Sequence, residues 1–237
     1  MRRNGRTARK LKKLTWNFRQ PDWADNHGIL LPVKHALVSP GIAREIYLGD
    51  YEAKEIDIIS RRLAADDIVF EVGAGLGFLS AYCAKCTGAE RVFAYEANPE
   101  LIPLIRETHA RNQVAPTLVN ALLAKGAGQR EFHLEDDFWA SSAHRSGGRS
   151  ITVNQLDLNT ELARIRPSFM IVDIEGGEAE LFADAELSTV RKICVETHRD
   201  VLGDRALSEM FCGLVAKGFA LDFSLIRKNV FFFHRPA

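Results

Sequence analysis

No stretch of this 237-residue chain approaches the ~20 consecutive apolar residues that a membrane-spanning helix needs. No apolar segment follows Arg2-Arg3, so a twin-arginine export signal is not expected. Cysteine is scarce, four in all. That argues against a disulfide framework, and a chain this long buries roughly 70–75% of its unfolded surface without one. The expected setting is reducing and cytoplasmic. Cys83-x-x-Cys86 lacks the second pair a zinc site wants, because Cys194 and Cys212 lie far apart. The pair falls at a helix end, not at the exposed start a redox pair needs, so these thiols are expected to be buried and free. Acid is missing from the first residues. Arg2, Arg3, Arg6, Arg9, Lys10, Lys12, Lys13 and Arg19 all precede Asp22, so a net charge of zero hides a basic arm and an acidic remainder. Residues 1–25 read as an unstructured arm able to meet nucleic acid or an anionic membrane surface. Internal repeats and low-complexity linkers are absent.

What is present is a glycine loop in a definite setting. Ile68, Val69, Phe70 and Val72 form an apolar run that breaks into Gly73, Gly75 and Gly77. A run of that length fits a strand buried on both faces. Glycines after such a strand allow a tight turn and close approach to a ligand. Residues 91–96 read as a second strand ending in Glu96, about 20 residues on, where a carboxylate holds a ribose. The spacing Gly-Ala-Gly-Leu-Gly is not the Gly-x-Gly-x-x-Gly of dinucleotide sites. Glu71 before the loop suits an ammonium group and not a pyrophosphate. Together these residues look like the first motif of a Rossmann-like methyltransferase. The plainer alternative is a tight turn whose glycines serve packing alone.

Taken in order, residues 26–65 read as an extension, with extended pieces and turns around Pro32, Pro40 and Gly41, then a lead-in helix over 51–63. Residues 66–237 form the main α/β domain. A helix is expected over 77–86. A second begins with Asn98 as cap and Pro99 at its first position, although Pro103 sits awkwardly within it. Residues 117–123 read as a third strand, bringing Asn120 and Ala121 to an adenine edge. Residues 126–155 look inserted, with hairpin strands at 130–134 and around Ile151 and Val153. The polar loop between them carries Trp139 and His144, candidates for substrate contact. A helix over 156–165 precedes two strands. One ends in Asp173 and Glu175, the other, over 192–198, in Glu196 and His198. An amphipathic helix over 205–217, with Leu207, Met210, Phe211, Leu214 and Val215 on one face, leads to a closing antiparallel hairpin.

The carboxyl ends of these strands collect the polar residues, which is where open parallel sheets bind ligands. At this point the chain resembles the FkbM family of S-adenosylmethionine-dependent methyltransferases. The resemblance rests on Glu71-Val-Gly-Ala-Gly-Leu-Gly, Tyr95-Glu-Ala-Asn-Pro99 and Ile171-Val-Asp-Ile-Glu-Gly-Gly-Glu178, with Gly49-Asp-Tyr-Glu52 ahead of the first strand. It runs from about Gly49 to His198. Glu71 and Gly75 stand where the family usually has Asp and Asn, and Ile171 where it often has Lys. The resemblance implies a class I methyltransferase fold, mostly parallel with a C-terminal antiparallel hairpin. It also implies methyl transfer to a hydroxyl of a sugar or other small natural product. A hydroxyl nucleophile needs a base, and His198 has a suitable intrinsic pKa, with Glu175 and Asp173 as alternatives. For the cofactor, Glu96 is expected at the ribose, Glu71 at the ammonium end and Asp173 near the methionine. Gly73, Ala74, Gly75, Gly77, Ala97, Asn98, Asn120 and Ala121 would complete the wall. No third ligand accompanies Asp173 and Glu175, so no metal site is expected. Three other readings stand beside this one: a nucleic-acid methyltransferase steered by the arm, a non-catalytic cofactor-binding module, and an NAD-dependent oxidoreductase, which the glycine spacing disfavours.

Overall fold

The computed structural model describes residues 12, 14–16, 20–134 and 149–236. The chain enters through β1 (Trp23–Asn26) and β2 (Ile29–Pro32), joined by His27 and Gly28, both at positive φ as a two-residue hairpin turn requires. So ordered structure begins inside the expected arm. Trp16 packs on the core, its ring 5.3 Å from that of Tyr47. Phe18 and most of the basic residues lie outside the described residues, as does the loop with Trp139 and His144. The next segment corrects the reading of extended pieces and turns, for it is helix α1 (Pro40–Leu48). Ser39 caps it through the Ile42 N–H, and Gly49 ends it in the left-handed conformation. Pro40 starts this helix and does not break it, because a first-turn N–H has no helical partner to lose.

Then follow α2 (Ala53–Arg62), β3 (Val69–Val72), α3 (Phe78–Thr87), β4 (Val92–Glu96) and α4 (Ile102–Arg111). Helix α4 starts later than Asn98-Pro99 suggests. Asn98 forms a side-chain turn onto the Glu100 N–H, and Pro103 falls in the first turn, where it is tolerated. The third strand splits. β5 (Thr117–Asn120) stays in the main sheet, and beyond Ala121 the chain turns into β6 (Leu122–Ala124). β6 joins β7 (Gly128–Leu134) and β8 (Arg149–Asp157) in a separate three-stranded sheet, with β7 and β8 pairing as the expected hairpin. The remaining elements are α5 (Leu158–Ile165), β9 (Phe169–Val172), α6 (Glu178–Ala183), β10 (Lys192–Glu196), α7 (Arg199–Ala216), β11 (Ala220–Leu221) and β12 (Val230–His234). Gly203 breaks α7 with φ 76° and ψ 163°. Val215 is 57% exposed and leaves the apolar face expected of it. Cys83 is buried, but Cys86 is exposed.

The main sheet runs β11-β12-β10-β9-β3-β4-β5, parallel except for the closing antiparallel hairpin. Alternate residues feed two cores. Val69, Phe169, Cys194 and Phe232 meet β1, β2 and α1 to α4 on one face. Phe70, Met170, Ile193 and Phe233 meet α5, α6 and α7 on the other. Both faces are covered, so all four residues of β3 are buried, Glu71 included. A fully buried ring such as Phe70 contributes about 1.5–3 kcal/mol. Asp67 ties the lower ends of three strands, accepting from Ser168 Oγ at 2.7 Å, Lys192 Nζ at 2.6 Å and the Ala64 N–H at 2.8 Å. β3 and β9 run parallel, but the order in which strands are added reverses between them, and a crevice opens above that junction.

Candidate active site

The crevice is a cavity of about 690 Å³, within the range of small-molecule sites. Its walls come from the carboxyl ends of β3, β4, β9 and β10, with α1 and α2 on one side and the β6-β7 sheet on another. Gly73 begins the loop at φ 89°, and a Cβ there would stand 1.8 Å from the Asp173 carbonyl oxygen. Only glycine lets the two strand ends come this close. Gly75, at φ 53°, turns its N–H onto Glu96 Oε2 at 3.0 Å. Glu96 Oε1 accepts the Asn98 N–H at 2.8 Å. Burial raises the Glu96 carboxyl above its ordinary range, and these backbone N–H groups oppose that shift only in part. Gly73, Gly75, Glu96, Ala97 and Ala121 line the cavity.

Ala74, Gly77, Asn98 and Asn120 do not line it. They build the wall from behind. Gly77 packs where a Cβ would meet Ile105 and His109. The Asn120 amide donates to the Glu96 and Ala97 carbonyls at 2.8 and 3.2 Å, fixing the turn after β4. Glu71 is also absent from the cavity, contrary to its expected place at an ammonium group. It is 1% exposed, inside the sheet, and bonded by Ser80, whose Oγ lies 3.0 Å from His109 Nε2. Burial first, and the Glu96 charge second, raise its pKa to about 8.

Asp173, Glu175 and His198 are brought together. His198 Nε2 lies 3.4 Å from Glu175 Oε1 and 3.9 Å from Asp173 Oδ1, and Nδ1 donates to Glu178 Oε1 at 2.5 Å. Burial works against a charged imidazole here, but three carboxylates outweigh it and raise its pKa to about 11. His198 is therefore protonated at neutral pH and has no lone pair free to take a proton. Asp173 is raised well above the carboxylate range by burial and by Glu196 and Glu55.

Several lining residues were not among those expected at the site. Glu52 stands at φ 48°, before α2, and Tyr51 bonds to it. Glu55 sits on the buried face of α2 next to Ile56. Lys54 reaches Glu196 Oε1 and Asn229 Oδ1, each at 2.8 Å. Arg130 and Phe132 come from the small sheet, and Arg130 pairs with Glu180. Among the described residues lining the cavity, Glu45, Asp50, Glu52, Glu55, Glu96, Asp173, Glu175, Glu180 and Glu196 thus stand against Lys54, Arg130, Lys228 and His198. A wall this acidic suits a ligand carrying positive charge and repels a pyrophosphate.

The methyltransferase FkbM domain matches residues 71–213. A methyltransferase from Pyrococcus furiosus superposes with a TM-score of 0.50 at 13% identity, over 98% of this chain and 98% of that one. The precorrin-6y C5,15-methyltransferase of Geobacter metallireducens GS-15 gives 0.47 at 16% identity, over 77% and 86% of the two chains. The SAH-bound methyltransferase PaMTH1 of Podospora anserina gives 0.46 at 15%, over 81% and 79%. None of the curated proteins matches the chain. Fold and site define a class I methyltransferase, Rossmann-like, with a C-terminal antiparallel hairpin. The chain belongs to the FkbM methyltransferase family, and its cofactor is S-adenosylmethionine.

Proposed function

We propose that the enzyme methylates a hydroxyl oxygen on a sugar or another small natural product. One observation carries the reading: a single cavity joins Gly73, Gly75 and Glu96 at one end to Asp173, Glu175 and His198 at the other. Glu96 keeps its carboxylate at the wall to accept ribose hydroxyls. Ala97 and Ala121 leave room for a flat base beside it, and Asp173 faces the cationic end. When bound, S-adenosylmethionine supplies an activated methyl group, and in-line displacement then depends mostly on alignment. His198, locked by three carboxylates, holds Glu175 and Asp173 in place. Calorimetric titration with S-adenosylmethionine, S-adenosylhomocysteine (SAH) and NAD tests the cofactor side. Micromolar binding of the first two with none of NAD is expected. Methyl transfer is then sought over hydroxylated acceptors, and binding without transfer to any of them would favour a non-catalytic role.

The charge asymmetry supports a second reading, a nucleic-acid substrate held by the basic residues before Asp22. RNA affinity that falls steeply with salt, and is lost on deleting residues 1–11, would favour it.

A further inference from the structure

The cofactor reading leaves one buried group in the cavity without a task. The glycine loop, Glu96 and Ala121 place the cofactor over β3, β4 and β5. The acceptor side is then the other half of the crevice, above β9 and β10. Glu55 reaches into that half from α2 and is 2% exposed. No donor satisfies either of its oxygens. Its neighbour is Glu196 at the end of β10, which is firmly held: Lys54 Nζ donates to Oε1 at 2.8 Å and the Asn229 amide to the same atom at 2.5 Å. Lys54 Nζ stands 3.9 Å from Glu55 Oε1, too far to serve both acids equally. With a proton, Glu55 donates to Glu196. Without one, no other described residue supplies its oxygens a donor. Burial and then Glu196 raise the Glu55 pKa to about 7, against its own backbone N–H and Lys54. The other ionisable groups facing it are Tyr51 and Glu52 beside α2, Asp173 at the end of β9 and Cys194 within β10.

We propose that Glu55 and Glu196 form a proton-sharing carboxyl pair facing the acceptor, with Glu55 the catalytic base and Glu196 its positioning partner. This rests on the hydroxyl-methylation reading above. The acceptor oxygen gives its proton to the Glu55 carboxylate as it bonds to the methyl carbon. The carbon–sulfur bond breaks, and its electron pair stays on sulfur, leaving neutral SAH. The proton on Glu55 is bonded to Glu196 until solvent removes it. His198, already protonated, cannot take this role, and a base poised near neutrality is worth about 10²–10⁴ in rate.

The test uses the full chain saturated with SAH and labelled with ¹³C at the glutamate side-chain carboxyls. A resonance missing from Glu55→Gln should titrate near neutral pH in the wild type and fall towards the ordinary carboxylate range in Glu196→Gln. Glu55→Gln should bind SAH within about twofold of wild type. With any acceptor the wild type methylates, it should lose about 10²-fold or more in kcat, together with the rising pH limb near 7, and keep KM. Titration of Glu55 at ordinary carboxylate pH would overturn the pair, as would indifference to Glu196→Gln. A tenfold loss of SAH affinity would move Glu55 to the cofactor side and overturn the base role, as would a surviving pH limb. Failure of the wild type to bind SAH would instead strike the underlying reading, while the titration, run without SAH, would still judge the pair.

Discussion

The Gly75 N–H donates to Glu96 Oε2 at 3.0 Å, so the loop after β3 and the acid that ends β4 are one unit. The glycine turns because an L side chain rarely adopts φ 53°, and the turned N–H aims the carboxylate. Glu96→Ala is therefore expected to weaken S-adenosylmethionine binding by about 10-fold or more while the protein stays folded. Losing hydrogen bonds to a charged acceptor costs about 1.5–3 kcal/mol. Calorimetry beside a thermal melt measures both effects. Unchanged affinity would remove Glu96 from the ribose site.

Gly73→Ala should fail for a different reason. Its Cβ would meet backbone, the Asp173 carbonyl, and not a side chain that can swing away. Cofactor binding and fold should both suffer, with a loss of about 2 kcal/mol or more in urea unfolding. Gly213→Ala is the control, since a methyl added there would have nothing within 4 Å and φ is ordinary. In mid-helix that change should stabilise by about 0.5–1 kcal/mol. Equal effects at both sites would refute the close-approach argument.

Asp67→Ala tests the lower end of the sheet. Three donors from the α2–β3 turn, from Ser168 and from β10 converge on this buried carboxylate. Burial alone would push it up, but Lys192, the Ala64 N–H and Ser168 hold it below the usual range. Removing it takes from Lys192 its buried counter-charge, leaving the bond to the Arg62 carbonyl, and costs about 3 kcal/mol, while SAH affinity in the remaining folded protein should not change. Denaturant unfolding and calorimetry separate the two.

Much of this was legible in the residues. The runs that became β3 and β9 stand out because both faces of each strand are covered, so apolar residues do not alternate with polar ones. The glycine loop and Glu96 stand out because backbone geometry demands particular residue types. Helix α1 was hidden by Pro40 and Gly41, which read as breakers until Ser39 is seen to cap them. The break at Ala121 was hidden because β5 and β6 form one continuous β-prone stretch, and only the second sheet separates them. Within the site, Glu71 looked like a ligand because it precedes the loop, yet strand alternation turns it into the core. Glu55 looked like any helix-surface charge. The state of His198 depends on Glu175 and Glu178, which a turn of the chain after β9 brings to it, and spacing does not report that.

Glu71 makes a prediction about pH. Its folded pKa of about 8 lies above the value near 4.5 of an exposed glutamate. Between those values the folded state holds a proton that the unfolded state has released. Stability must therefore fall as pH rises from about 4.5 to 8, then level off for this group. His198 acts in the same direction at higher pH. Raised from 6.5 to about 11, it stabilises fully below 6.5, and that contribution is lost as pH climbs towards 11. Melting temperature should thus decline steadily from pH 6 to pH 10. Glu71→Gln keeps the shape and the bond to Ser80 but cannot ionise. It should remove Glu71's own share of the decline between pH 4.5 and 8, leaving the variant more stable than wild type by on the order of a few kcal/mol near pH 8. His198→Gln should flatten the part above pH 8 and lower stability at pH 6, where the imidazolium pairs fully with its carboxylates. Melting curves of the three proteins across that range decide the matter. A wild type whose melting temperature rises with pH would mean that neither group is held as the geometry requires.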